Sequence, residues 1–171
     1  NGINSVRETI ESCVELGIKN LTLYVFSVDN WKRPKNEVNA LMKLLVRSVK
    51  NEIEDINKNN IRMRIIGSLD QLSKGIKSEL VNASNLTFRN DGLNLNLAIS
   101  YGSKTEIINA LKQIIEKVKK NIISIENIYE KLINEHLYTK ISKDVDLLIR
   151  TGGEFRLSNF LLWQNSYAEL L

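Results

Sequence analysis

A single cysteine, a single proline and a single histidine in 171 residues exclude several kinds of protein at the outset. Cys13 alone can form no internal disulfide, which suits a reducing compartment. His136 has no second histidine and only that one cysteine beside it in the composition, too few ligands for a zinc site. No apolar run approaches the ~18–20 residues of a membrane span, and no signal peptide is visible. Neither a repeat, a linker nor a low-complexity segment is present. Charge of one sign is also scarce: 24 Lys and Arg stand against 20 Asp and Glu, for a net charge of +4. Such an excess suits an anionic ligand, a membrane surface or nucleic acid, and is too small and dispersed to choose among them.

What the chain does have is apolar periodicity. With 43% hydrophobic and 26% charged residues, it is expected to be one soluble domain with a sizeable core. Val6, Ile10, Cys13 and Val14 lie on one face of a helix predicted over 4–16, with Ser5-x-x-Glu8 as a capping box. Leu21–Phe26 reads as a strand. Pro34 is placed to open a long helix carrying Val38, Leu41, Met42, Leu45, Val49, Ile53 and Ile56. Ile61–Ile66 reads as a strand ending at Gly67, followed by a helix over 70–83 and a turn at Asn90-Asp91-Gly92. Leu93, Leu95, Leu97 and Ile99 form one face of a further strand, with ordinary sheet core the preferred reading. Helices follow over 103–120 and 128–132, with Ser124 the candidate cap of the second. Strands alternating with helices predict an α/β fold with a central, mostly parallel sheet flanked by helices.

The informative stretch runs from Asp144 to Glu169. Val145, Leu147, Leu148 and Ile149 read as a short buried parallel strand, and Phe160–Trp163 as the final strand. Ligands of open α/β sheets bind beyond the carboxyl ends of strands, where Arg150, Thr151 and Gly152-Gly153 fall. Arg156, Ser158 and Asn159 follow. Two guanidinium forks around a glycine turn suit a ligand rich in anionic oxygens, such as a diphosphate. The alternative is surface ion pairing of Arg150 and Arg156 with Asp144, Asp146 or Glu154.

RTGGE-x-RLSNFLLWQ-x-x-YAEL resembles the C-terminal signature of the cis-prenyltransferases, the family of undecaprenyl and dehydrodolichyl diphosphate synthases. FSVDNWKRPKNEV, from Phe26 to Val38, resembles a second block of that family. Together the two blocks and their spacing cover essentially the whole chain. The resemblance implies condensation of isopentenyl diphosphate with an allylic diphosphate such as farnesyl diphosphate, giving a long polyprenyl diphosphate. By motif position it implies that Arg150, Arg156 and Ser158 hold isopentenyl diphosphate and that Glu169 binds Mg2+ across a homodimer. It also implies that Ser27, Asn30, Trp31, Arg33 and Glu37 form a second active-site block, with Asn30 orienting the isopentenyl group. For Arg33 and Glu37 an i, i+4 structural pair is the plainer alternative, and for Trp31 a place in the core. A product tunnel is implied near the Leu93–Ile99 face. Cytoplasmic localisation follows, with peripheral membrane association left open and no nucleic-acid partner expected.

Three departures qualify the resemblance. The family's N-terminal Asp-Gly-Asn-Gly-Arg-Trp block, with its first strand and magnesium-binding aspartate, is absent from this sequence. The family's Tyr-Gly-Gly-Arg reads Tyr101-Gly102-Ser103-Lys104, a tolerable change, and Phe155 fills a variable position. The expectation is therefore a single catalytic domain over 1–171, truncated at the N-terminus and also at the C-terminus. Such a chain is expected to bind diphosphate but to be inactive by itself. A non-catalytic partner subunit of a heteromeric cis-prenyltransferase is the alternative, disfavoured because the motif side chains are present. A basic nucleic-acid module is the third reading, disfavoured because the arginines gather at strand ends.

Overall fold

In the computed structural model, which describes residues 2–142 and 144–171, the chain forms two compact units, Asn1–Ser100 and Tyr101–Leu171. The first unit begins with α1 (Gly2–Glu15), β1 (Asn20–Ser27) and a 3-10 turn (Val28–Lys32). It continues through α2 (Lys35–Lys58), β2 (Arg62–Ile66), α3 (Lys74–Leu86) and β3 (Asn94–Tyr101). Its sheet has the order β1-β3-β2, and β2 pairs with β3 in parallel, from Arg62 opposite Asn94 to Ile66 opposite Ala98. The expected α/β class, a parallel sheet flanked by helices, is the one observed.

Burial follows the sequence periodicity along α2, whereas β3 is buried on both faces, Asn96, Ala98 and Ser100 included. Leu93, Leu95, Leu97 and Ile99 are all buried, and they join Phe26, Met63, Leu72 and Leu80 in one apolar cluster. Helix α2 contributes Val38, Met42, Val49 and Ile56, with Leu45 and Ile53 packed against them. Leu41 departs from the expected stripe and stays exposed, because the buried positions recur at 38, 42, 45, 49, 53 and 56 and leave it on the flank. In α3, Thr87 at the C-terminal end accepts a hydrogen bond from the backbone N–H of Met63, and the Ser84 hydroxyl donates to the Met63 carbonyl. The helix is thereby tied to β2 by polar bonds as well as by packing.

Element ends differ from expectation for identifiable reasons. Helix α1 starts at Gly2, so Ser5 lies within it and the predicted capping box does not form. None of its residues is fully buried, but Ile10 and Cys13 pack against the core. Helix α3 starts at Lys74 rather than 70, because Ser73 takes the N-cap and accepts from the Ile76 N–H. Pro34 occupies the N-cap of α2, as expected of a residue with no N–H to satisfy.

The second unit holds α4 (Ser103–Lys119), a short 3-10 turn (Ile125–Asn127), α5 (Glu130–Asn134), β4 (Leu147–Leu148) and β5 (Glu169–Leu170). Strands β4 and β5 pair in parallel. The buried strand predicted over 145–149 is thus reduced to two residues, and Leu147 and Ile149 are exposed. Phe160–Trp163 is not a strand. Phe160 and Leu161 are buried as apolar residues should be, but Ser158, Asn159 and Leu161 all have positive φ, which bends the backbone into consecutive turns. The last strand is instead Glu169–Leu170.

Candidate functional site

The first group of expected site residues sits where β1 runs into the 3-10 turn. Ser27 caps that turn: its hydroxyl accepts from the Asp29 N–H at 2.9 Å, while its own N–H donates to Asn30 Oδ1 at 2.8 Å. The two residues close a capping box, so Asn30 is fixed by the backbone it follows. Trp31 donates from Nε1 to Ser100 Oγ at 2.8 Å and meets the ring of Phe26 edge-on, with centroids 5.0 Å apart. An edge-on pair of this kind contributes about 0.5–1.5 kcal/mol beyond burial. Trp31 therefore belongs partly to the core, as its plainer reading supposed. Arg33 and Glu37 pair at 2.7 Å across one helical turn and remain about half exposed.

The second group sits at the end of β4. Gly152 and Gly153 have φ of +94° and +70°, a left-handed turn that most other residues would resist. Arg150 is half-buried and donates from Nη1 to Ser158 Oγ at 2.8 Å and to the Arg156 carbonyl. No carboxylate among the described residues pairs with it. Arg156 does pair with Glu154, which fulfils the surface ion-pair alternative for that residue and not for Arg150. Ser158 and Arg156 are exposed, so this group presents donors outward.

Glu169 lies in β5, where its backbone N–H donates to the Asp146 carbonyl. Its side chain is exposed and makes no ion pair among the described residues. No group of three or more His, Cys, Asp or Glu among the described residues could hold a metal ion. That donor set fits magnesium only in its usual substrate-bound mode, one carboxylate plus phosphate oxygens and water, and does not fit a protein cage.

The second unit also holds a buried polar frame that the sequence reading did not single out. Glu106 in the first turn of α4 is buried, and its carboxylate accepts from the Tyr101 hydroxyl at 2.5 Å, the Tyr138 N–H at 2.8 Å and Gln164 Nε2 at 3.1 Å. Burial, reinforced by the neighbouring Glu106 carboxylate, pushes the Tyr101 phenol far above its ordinary value of 10. Gln164 also donates to Thr139, and Trp163 donates to Asn134 at 2.6 Å. Spacing could not reveal this frame, since a glutamate in a first helical turn looks like an ordinary complement to the helix dipole. Cys13, half-buried, has a thiol raised by desolvation and serves as a small packing residue. His136 donates from Nδ1 to the Leu132 carbonyl and accepts from Lys117 at 2.7 Å.

These features define an α/β protein with arginine donors on a strand-end glycine turn. Its fold is similar to that of a probable undecaprenyl diphosphate synthase from Campylobacter jejuni, with TM-score 0.89 and 40% identity over 99% of this chain and 78% of the other. It is also similar to lavandulyl diphosphate synthase from Lavandula x intermedia, solved with dimethylallyl diphosphate, with TM-score 0.96 and 33% identity over 99% and 74%. The family model described as "Putative undecaprenyl diphosphate synthase" matches residues 1–171, and the chain belongs to that family. Among curated relatives, an isoprenyl transferase of Clostridium tetani is 46% identical over 98% of this chain and 66% of its own length. A ditrans,polycis-undecaprenyl-diphosphate synthase of Haemophilus influenzae, (2E,6E)-farnesyl-diphosphate specific, is 45% identical over 99% and 71%. The chain spans about two thirds of the length of the curated relatives it matches.

Proposed function

We propose that this chain serves a cis-prenyltransferase reaction, in which isopentenyl diphosphate condenses with an allylic diphosphate such as farnesyl diphosphate. In that reaction the allylic carbon–oxygen bond breaks and diphosphate leaves. A carbon–carbon bond forms to the isopentenyl unit, which then loses a proton. The observation that carries the reading is Arg150: a half-buried guanidinium without a carboxylate partner among the described residues, bonded to Ser158 beside an exposed glycine turn. A diphosphate oxygen takes the place that a carboxylate would fill, and a charge-assisted bond of this kind contributes ~1.5–3 kcal/mol. Arg156 is the second fork, released from Glu154 when a more highly charged anion arrives.

Asn30 orients rather than ionises. Its Oδ1 is committed to the Ser27 N–H, which leaves the amide nitrogen as a donor held in a fixed direction. Magnesium, when bound, neutralises and polarises diphosphate oxygens. Glu169 is the residue here that would touch it. The exposed apolar residues Leu147, Ile149, Leu170 and Leu171, together with the nearly fully exposed Phe155 and Tyr167, support a homodimeric contact through this unit. No helix among the described residues is long and apolar enough to cross a membrane.

The reading is tested by calorimetric titration of isopentenyl diphosphate into the chain. Binding is expected, and Arg150→Ala is expected to weaken it by about tenfold or more. A folded Arg150→Ala variant with unchanged affinity would withdraw the assignment.

A further inference from the structure

Helix α4 begins without a cap of its own. Gly102 stands at its N-cap with no side chain to accept a hydrogen bond, so the first N–H groups of the helix need partners from elsewhere. They find them in Asn159, 55 positions further along the chain. The Ser103 N–H donates to the Asn159 carbonyl at 2.8 Å, and the Lys104 N–H donates to Asn159 Oδ1 at 2.9 Å. The bond is returned, since the Leu162 N–H donates to Ser103 Oγ at 2.9 Å.

The segment so fastened is bent unfavourably. Ser158, Asn159 and Leu161 have φ of +50°, +60° and +46°. Asparagine tolerates the left-handed region, whereas serine and leucine do so less readily. A turn of this shape persists when its surroundings fix it, and here the fixing groups are the α4 first turn on one side and buried Phe160 and Leu161 on the other. Ser158, the residue that receives Arg150, immediately precedes Asn159.

We propose that Asn159 is a positioning residue for the diphosphate-binding turn: as the remote N-terminal cap of α4, it sets the place of Ser158 and thereby of the Arg150 guanidinium. The proposal rests on the reading of Arg150, Arg156 and Ser158 given above. The helix N-terminus is not itself the ligand site, because its first two donors are consumed by Asn159. What α4 supplies is a rigid mount for a loop whose outward face is polar.

The test combines affinity with amide hydrogen exchange, using isopentenyl diphosphate and the full chain. Asn159→Gly keeps the positive φ accessible and deletes Oδ1. It is expected to raise the Kd about tenfold at temperatures where the variant is fully folded, and to speed exchange at the Lys104 amide. A merely structural cap would lower the melting temperature and leave the Kd of the folded protein unmoved. Asn159→Asp retains the acceptor. It is expected to restore slow exchange at Lys104 and to return the Kd to within about threefold of wild type at roughly 0.5 M salt, where repulsion between the new carboxylate and the ligand is screened. A folded Asn159→Gly variant within about twofold of the wild-type Kd would overturn the proposal, as would Asn159→Asp behaving no better than Asn159→Gly. Should Asn159→Gly fail to fold, Ser103→Ala loosens the same clamp from the helix side and is expected to weaken binding at least threefold or so. An unchanged Kd there overturns the proposal too. A wild-type chain that binds no isopentenyl diphosphate instead overturns the reading of the arginines, and this proposal falls with it.

Discussion

Around Asn30 the candidate side chains stand on a packed apolar core, whereas around Arg150 they stand on turns shaped by hydrogen bonds. In the first unit, Ser27 bonds to the Asp29 backbone and Asn30 to the Ser27 backbone, and Trp31 meets Phe26, donates to Ser100 and packs against the apolar cluster. Dispersion and burial fix that geometry, and few donors are left over. In the second unit, β4 and β5 contribute two residues each, and the backbone from 158 to 161 repeatedly enters the left-handed region. There the position of a side chain depends on individual polar bonds, and those donors face outward. A rigid apolar platform and a hydrogen-bonded turn are different ways to hold a functional group. They should fail in different ways when altered.

The largest contrast should come from a cavity in the core of the first unit. Leu95→Ala, at a residue 1% exposed, is expected to cost about 3–4 kcal/mol in a urea unfolding experiment. A loss below ~1 kcal/mol would mean that the core of the first unit collapses to fill the gap, and that the platform is soft. Arg150→Ala should do the reverse, reducing isopentenyl diphosphate affinity by ~1.5–3 kcal/mol while changing unfolding free energy by less than about 0.5.

Tyr101→Phe falls between these. Removing the hydroxyl leaves Glu106 Oε2 with one fewer donor and should cost ~1–2 kcal/mol near neutral pH. Its pH dependence sharpens the point. The folded state holds the phenol proton more tightly than the unfolded chain does, so the stability linked to it is complete below about pH 10 and falls as pH rises beyond that. The phenylalanine variant should lose that alkaline decline, as measured by denaturant midpoints from pH 8 to pH 11 or so. An identical decline in both proteins would show that Tyr101 is not its source. Smallest of all, Arg33→Ala breaks an exposed i, i+4 pair and should shift stability by only ~0.3–0.5 kcal/mol. A larger fall in ligand affinity than in stability would mark Arg33 as a site residue as well as a helix-start pair.

Periodicity in the sequence determined the α/β class, the parallel sheet, the leucine face of β3 and the burial of Met42, Val49 and Ile56, because burying one face of a helix or strand is a local demand repeated along the chain. The motif blocks likewise marked Arg150, Ser158 and Asn30, and the Gly152-Gly153 turn was legible because few residues other than glycine enter that backbone region readily. Tertiary structure alone decided that Arg156 pairs with Glu154 while Arg150 does not pair, that Glu106 is a buried acceptor, and that residues 160–163 turn instead of extending. The last two of those outcomes depend on partners distant in sequence: Glu106 on Tyr138 and Gln164, and the turn through Asn159 on Ser103 and Lys104. A hydrogen bond between residues dozens of positions apart leaves no period in the chain, so folding must bring its donor and acceptor together before it can be read.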